Sequence, residues 1–317
     1  MSSVIHTVKT KILAFIVLIS LLGLAACGSS SATTSSATPT AAPKTINIGS
    51  KLDTENQLLA EMYGLLLQKA GYSIKFHIPT GDSPATFTAL QSGALGIYPE
   101  FTATGLNTLK VPSAYDPAKD YQTVKQGFEK QYGITWLDPS PLNDGYALCM
   151  TKDQAQARHI TSISDLALQV SSLKLESPSD GTPFVDNLQQ TYKFSTKSFK
   201  LTQTVNYAVG IKAVAAQQAD VAVCYTTDGS IVQQNFIFLQ DDKHGFPEFH
   251  PAPIVRDDVL KQYPDIPSIL NPLAPKLTTE VSIELQKEVA DKKASGTEIS
   301  KAIEPVAKAF LQKIGLL

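Results

Sequence analysis

The chain is short of the side chains that most metal and redox chemistry needs: three cysteines and five histidines are spread through 317 residues. His244 and His250 stand six apart on a proline-rich stretch, and a metal centre needs three or four converging ligands, so no metal site is expected. No phosphate-loop, dinucleotide, zinc or serine-hydrolase spacing occurs either. A nucleophile, a base and an orienting group cannot be assembled from the motifs present, so an enzyme is the weakest reading and no cofactor is expected. An excess of one charge is also lacking. The 27 basic residues face 29 acidic ones, which leaves no electrostatic footprint for nucleic acid. The apolar run Ile12–Leu22 is eleven residues long, too short for the roughly 20 that span a bilayer.

That run does have another use. Lys9 and Lys11 precede it and "LAAC" follows, so residues 1–27 read as a signal peptide with a lipobox-like end. Cys27 is then the acceptor of a diacylglycerol thioether that would hold the mature chain on the outer face of a bacterial membrane. Cleavage before it removes two lysines and no acid, leaving 25 basic against 29 acidic groups, about minus four. Residues 28–43, "GSSSATTSSATPTAAP", carry neither charge nor hydrophobic period and read as a disordered tether. The other cysteines, Cys149 and Cys224, lie in apolar runs and read most simply as buried thiols. A disulfide between them stays open outside the cell.

Past the tether, strand and helix signals alternate. "TINIG" reads as a strand, and a helix with a Thr54-to-Gln57 capping box and Gly71 as its stop follows it. "YSIKFHI" reads as a second strand, and a second helix starts with Asp82 or Ser83 as cap and Pro84 at its first turn. "LGIYPEFT" reads as a third strand. The pattern restarts from "ITWLD" and "YALCM" through "DVAVCY" to "NFIFLQDD". Two stretches rich in Pro, Gly and Asp, Leu137–Gly145 and Gln240–Pro253, bound this second unit and read as crossings. The expected fold class is α/β with two lobes, residues 44–142 plus 243–317 and residues 143–242, joined by two crossovers.

In such sheets ligands gather at the carboxyl ends of strands. Tyr98 ends one strand, Tyr146 opens another just after the first crossing, and Tyr225 closes "DVAVCY". A tyrosine π-face attracts a cation by about 0.5–2 kcal/mol without a full negative charge, so three rings in one cleft would suit a quaternary ammonium group. Taken singly, each reads more simply as a half-buried tyrosine with a wet hydroxyl.

The segments "DTENQLLAEM", "LQSGALGIYPEFTATGL", "PLNDGYAL", "PSDGTP", "DVAVCYTTDGSI" and "LQDDKHGFPEFHPAPIVR" together resemble the substrate-binding proteins of ABC importers for glycine betaine, choline and related compatible solutes. The resemblance implies a type II periplasmic-binding-protein fold, an extracytoplasmic monomer, a membrane permease as partner, and a small quaternary ammonium ligand held in an aromatic cage. Carried over by motif, the cage tyrosines fall on Tyr98 ("YPEYTGT"), Tyr146 ("NxTYAL") and Tyr225 ("YSTDG"). Glu100 would be structural. A fourth tyrosine of the family falls on Ile211 here, and Tyr207, one helical turn earlier, is the candidate replacement. Phe101 stands where the motif often has tyrosine, and Gly96 where an acid is common. Since a micromolar site needs about 8 kcal/mol, the far end of the ligand must also be held. Asn56, Gln57 and Ser83 at helix starts are the candidate donors, placed to favour a carboxylate. A receptor for a different small solute, and a lipid-anchored sensory or interaction protein, are the competing readings.

Overall fold

The computed structural model describes residues 45–179, 181–229, 231 and 234–317. The leader, Cys27 and the tether lie outside them. Among the described residues no helix is long and apolar enough to cross a membrane.

Two α/β lobes are built on two five-stranded mixed sheets. The first is ordered β2-β1-β3-β10-β4, from β1 (Thr45–Gly49), β2 (Ser73–His77), β3 (Ile97–Phe101), β4 (Ile134–Trp136) and β10 (Pro251–Arg256). The second is ordered β7-β6-β8-β5-β9, from β5 (Tyr146–Thr151), β6 (Lys174–Ser177), β7 (Leu201–Thr204), β8 (Val221–Tyr225) and β9 (Phe236–Phe238). In each, three neighbouring strands run parallel, joined by helical crossovers, and one strand enters antiparallel: β10, the last to arrive, between β3 and β4, and β5, the first of its sheet in the chain, between β8 and β9. Placing β10 in the first sheet returns the chain to it after the second sheet is complete.

The helix Thr54–Lys69 is apolar on nearly every side, and it is buried from Glu55 to Leu67. A helix patterned that way must be covered all round, and the helices Ile266–Leu270, Thr279–Ala294 and Ile299–Lys313 do so, in one core with Ile48, Ile97 and Val255 of the sheet. The opposite face of that sheet packs Trp136, Phe128, Leu90 and Tyr98.

Three local expectations are corrected. The Thr54 helix is capped by Asp53, whose carboxylate accepts from Asn56 N at 2.7 Å, so the Thr54-to-Gln57 capping box does not form; an aspartate one residue earlier is the stronger acceptor. The proline-rich segment taken as a crossing ends earlier, because Pro251 and Pro253 are already in β10. Proline is tolerated there: Pro253 pairs with Pro99 of β3, while the carbonyls of Pro251 and Pro253 accept from Ser140 N and Leu137 N. Cys149 and Cys224 are joined in a disulfide rather than standing as separate thiols. They lie on the adjacent strands β5 and β8 with Cα atoms 6.1 Å apart, within the reach of a bridge.

Candidate functional site

Two short segments connect the lobes and are hydrogen-bonded to each other. Asp144 N donates to the Phe249 carbonyl at 3.1 Å and Phe249 N to Asn143 Oδ1 at 2.8 Å. The His250 ring Nδ1 faces the Ser140 and Leu142 carbonyls at 3.0 and 2.9 Å, and its Nε2 bonds Glu248 at 2.6 Å, so this histidine is spent on structure. The turn after β8 joins the same knot, with Gly145 N donating to Thr226 Oγ1 at 2.8 Å and that hydroxyl donating to the Asn143 carbonyl at 2.7 Å.

Beside this knot lies a cleft of about 770 Å³. Its walls come from both lobes: Lys51, Asp53 to Glu55, Ser83 and Phe101 on one side, Tyr146, Tyr225 and Thr227 to Gly229 on the other, with Asp144 and Phe249 from the connections. The helix Thr279–Ala294 supplies Ile283, Gln286 and Lys287. Gly229 is required by this approach, since a Cβ there would collide with the Ile283 side chain.

The aromatic residues form one connected group. Tyr146 and Tyr225 are direct cross-strand partners on β5 and β8, and their rings lie 5.3 Å apart at 43°. Tyr207, at the start of the helix Tyr207–Ala215, reaches the Tyr225 ring at 4.8 Å and donates its hydroxyl to Asp228 Oδ2 at 2.7 Å. Phe184 stacks on Tyr146 at 4.5 Å, and Phe249 stands edge-on to it at 5.8 Å. Ile211 is buried in the core behind these rings.

Tyr98 is placed elsewhere. It is fully buried in the sheet core, does not line the cleft, and donates its hydroxyl to Glu100 Oε2 at 2.9 Å. The expectation of a cage wall there is corrected by strand parity: residues an odd number apart point to opposite faces, so Phe101, three residues on, carries the ring that reaches the cleft. Glu100 is structural, as expected. It accepts from Lys51 Nζ in a buried ion pair, from Tyr98 and from Phe101 N at 2.7 Å, while Lys51 Nζ sits 4.9 Å from the Phe101 ring centroid.

Asn56 and Gln57 are also corrected as ligand donors. Asn56 is fully buried, accepting from Lys51 N at 2.7 Å and donating to the Pro99 carbonyl at 2.9 Å, and Gln57 donates to the Leu52 carbonyl at 2.7 Å. Ser83 does line the cleft. Both nearby helix starts already carry an acidic cap, Asp53 and Asp82, so neither presents a bare positive end to a carboxylate.

Sequence reasoning passed over the acids of this cleft. Asp144 accepts from Thr227 Oγ1 at 2.7 Å, and burial raises its carboxyl to about 6, with Asp53 adding to the rise. Glu55, only 3 % exposed, has its carboxyl raised well above the ordinary range by burial and by Asp144. The available signal was an acid in the first turn of an otherwise apolar helix.

The family described as the substrate binding domain of ABC-type glycine betaine transport systems matches residues 44–313. An ergothioneine transport permease/ergothioneine binding protein of Helicobacter pylori is 28 % identical over 278 residues, which is 86 % of this chain but only 48 % of that relative. A glycine betaine-binding protein, YehZ, of Escherichia coli is 29 % identical over 265 residues, 80 % of this chain and 87 % of the relative. A solved structure of a glycine betaine/carnitine/choline ABC transporter superposes with a TM-score of 0.74 at 26 % identity, covering 87 % of this chain and 99 % of that one.

Proposed function

The chain belongs to the family of substrate-binding domains of ABC-type glycine betaine transport systems, and from its cleft we propose that it is an extracytoplasmic solute receptor that takes up a small quaternary ammonium compound between two lobes and passes it to an ABC permease. The lobes would be residues 44–142 plus 243–317 and residues 143–242, acting as a monomer. One observation carries the proposal: Tyr146 and Tyr225, side by side, line a cleft whose other aromatic walls are Phe101 and Phe249. A trimethylammonium group has no N–H to donate, and π-faces attract its charge without demanding one. Tyr207 belongs to the site through the Tyr225 ring that it positions. Betaine, carnitine, choline and ergothioneine, which relatives carry in their names, share that charged group.

Cys27 would anchor the receptor to the membrane through a lipid, with residues 28–43 as tether. Mass spectrometry of membrane-extracted protein should find a diacylglyceryl-modified N-terminal cysteine; an unmodified Cys27 would remove the anchor and leave the receptor. Thermal denaturation with choline, glycine betaine, carnitine, ergothioneine and a neutral polyol tests the ligand class. A true ligand at 100 times its dissociation constant stabilises the fold by about 2.7 kcal/mol. Stabilisation by the polyol and by none of the quaternary compounds would sink the proposal.

A further inference from the structure

On the wall opposite Tyr146 and Tyr225, Glu55 is held in an unusual way. Its Oε2 accepts from Ser282 Oγ at 2.5 Å and from Gln286 Nε2 at 3.0 Å, both on the helix Thr279–Ala294. Its Oε1 is buried and has no hydrogen-bond partner among the described residues. Buried polar atoms are nearly always partnered, and an unmade bond there costs about 1–3 kcal/mol. Glu55 lines the cleft, as do Gln286, Asp53 and Asp144. A buried oxygen with two side chains fixing its neighbour and nothing satisfying it is the arrangement of an acceptor kept for a ligand.

The charges around it bear on which ligand. Asp53 caps the helix that carries Glu55, and Asp144 faces it from the connection between lobes. Asp228 lies on the same cleft wall as Tyr225. Of the cations, Lys51 is committed to Glu100, while Lys287 and Lys293 are exposed at the rim. A ligand carboxylate placed here would meet three carboxyl groups across low-dielectric walls, where like charges repel most. A hydroxyl would meet an acceptor.

We infer that Glu55 is the specificity residue of the cleft: its Oε1 accepts a hydrogen bond from the far end of the ligand, so that the preferred substrate is a quaternary ammonium alcohol with no carboxylate. This rests on the receptor reading above and narrows it. It also carries a proton consequence. Burial and Asp144 hold Glu55 in its protonated form to higher pH than an ordinary glutamate. An arriving monocation favours the ionised carboxyl, so binding releases a proton and apparent affinity rises with pH until Glu55 is ionised in the free protein. A zwitterion whose carboxylate came to Glu55 would need the proton kept, and its affinity would fall with pH.

Isothermal calorimetry on the whole mature chain, with choline and glycine betaine at pH 5.5, 7 and 8.5 in buffers of different ionisation heat, separates these cases. The expected result is choline bound at least tenfold more tightly than glycine betaine at pH 7, with proton release and roughly tenfold gain between pH 5.5 and 8.5. Glu55→Gln, which keeps the shape and the Ser282 and Gln286 contacts, should reduce the pH dependence to the part that Asp144 supplies below about pH 7 and cut the preference for choline at least tenfold. Ser282→Ala removes a donor that favours the ionised form and should move the pH midpoint upward without loss of the binding itself. Glycine betaine bound as tightly as choline, or a pH profile unchanged in Glu55→Gln that still unfolds cooperatively, would overturn the inference and leave the receptor reading intact. Binding of neither compound at millimolar concentration by folded protein would also overturn the inference, and the receptor reading would fall with it only if carnitine and ergothioneine failed to stabilise the fold as well.

Discussion

Strand parity assigns Tyr98 and Phe101 opposite duties, and a reciprocal pair of conservative substitutions should expose it. Tyr98→Phe keeps the buried ring and deletes only the hydroxyl that donates to Glu100. Glu100 retains Lys51 and the Phe101 backbone amide, so the loss should sit near the lower end of the roughly 1.5–3 kcal/mol typical of a hydrogen bond to a charged group. Urea denaturation should then show a lower midpoint at unchanged slope, while choline affinity stays within twofold of the parent. Phe101→Leu is nearly volume-conserving and should lower stability by less than about 1.5 kcal/mol. It removes a π-face from the cleft, so quaternary ammonium binding should weaken by about 0.5–2 kcal/mol, roughly 2- to 30-fold. A Tyr98→Phe protein of parental stability whose affinity has dropped tenfold would refute the assignment of faces, and with it the claim that Phe101 is the ring presented by β3.

Tyr225→Ala should weaken choline binding by about 0.5–2 kcal/mol or more, since it also releases Tyr146 and Tyr207 from their shared neighbour, and Tyr225→Phe should cost less; calorimetry on the two variants decides. The disulfide joins residues 75 apart, so Cys149→Ser with Cys224→Ser should lower stability by about 2–4 kcal/mol in denaturant, and reductant should do the same to the parent while leaving the double variant unmoved. Burial, with Glu304 alongside, raises the Glu61 carboxyl from 4.5 to about 7. The folded chain then holds a proton there that the unfolded chain releases above about pH 4.5, so stability falls as pH rises from there to about 7, by up to about 3 kcal/mol. Melting curves across that range should show the slope, and Glu61→Gln should lack it.

Much of the architecture could be read from pattern: β1, β2, β3, β5 and β8 lie on the apolar runs, and the long helices begin at acids or a threonine. The disulfide could not be chosen from apolar context alone, because pairing depends on β5 and β8 being neighbours. Among site residues, Tyr146 and Tyr225 came together because each ends or opens a strand on the same sheet. Tyr98 misled because its motif position says nothing about which face of β3 it occupies; counting two or three residues along the strand reverses the answer. Asn56 and Gln57 misled for a related reason, since a side chain at a helix start can serve the preceding loop instead of a ligand. Phe249 was hidden in a segment read only as a connection, and Glu55 stood beside Asn56 and Gln57, whose amides were read as the donors of that helix start.

The register that sets Tyr146 opposite Tyr225 lies a few residues from the Cys149–Cys224 bridge, and both belong to the same pair of strands. The spacing between these rings is therefore established when the second sheet folds. A binder whose contact groups are already immobile loses less side-chain entropy at the moment of association than one that must assemble them. Half of the aromatic surface is in this sense a rigid template, and on the proposed reading the freedom surrendered on capture would fall mainly to the lobe that carries Phe101 and Glu55.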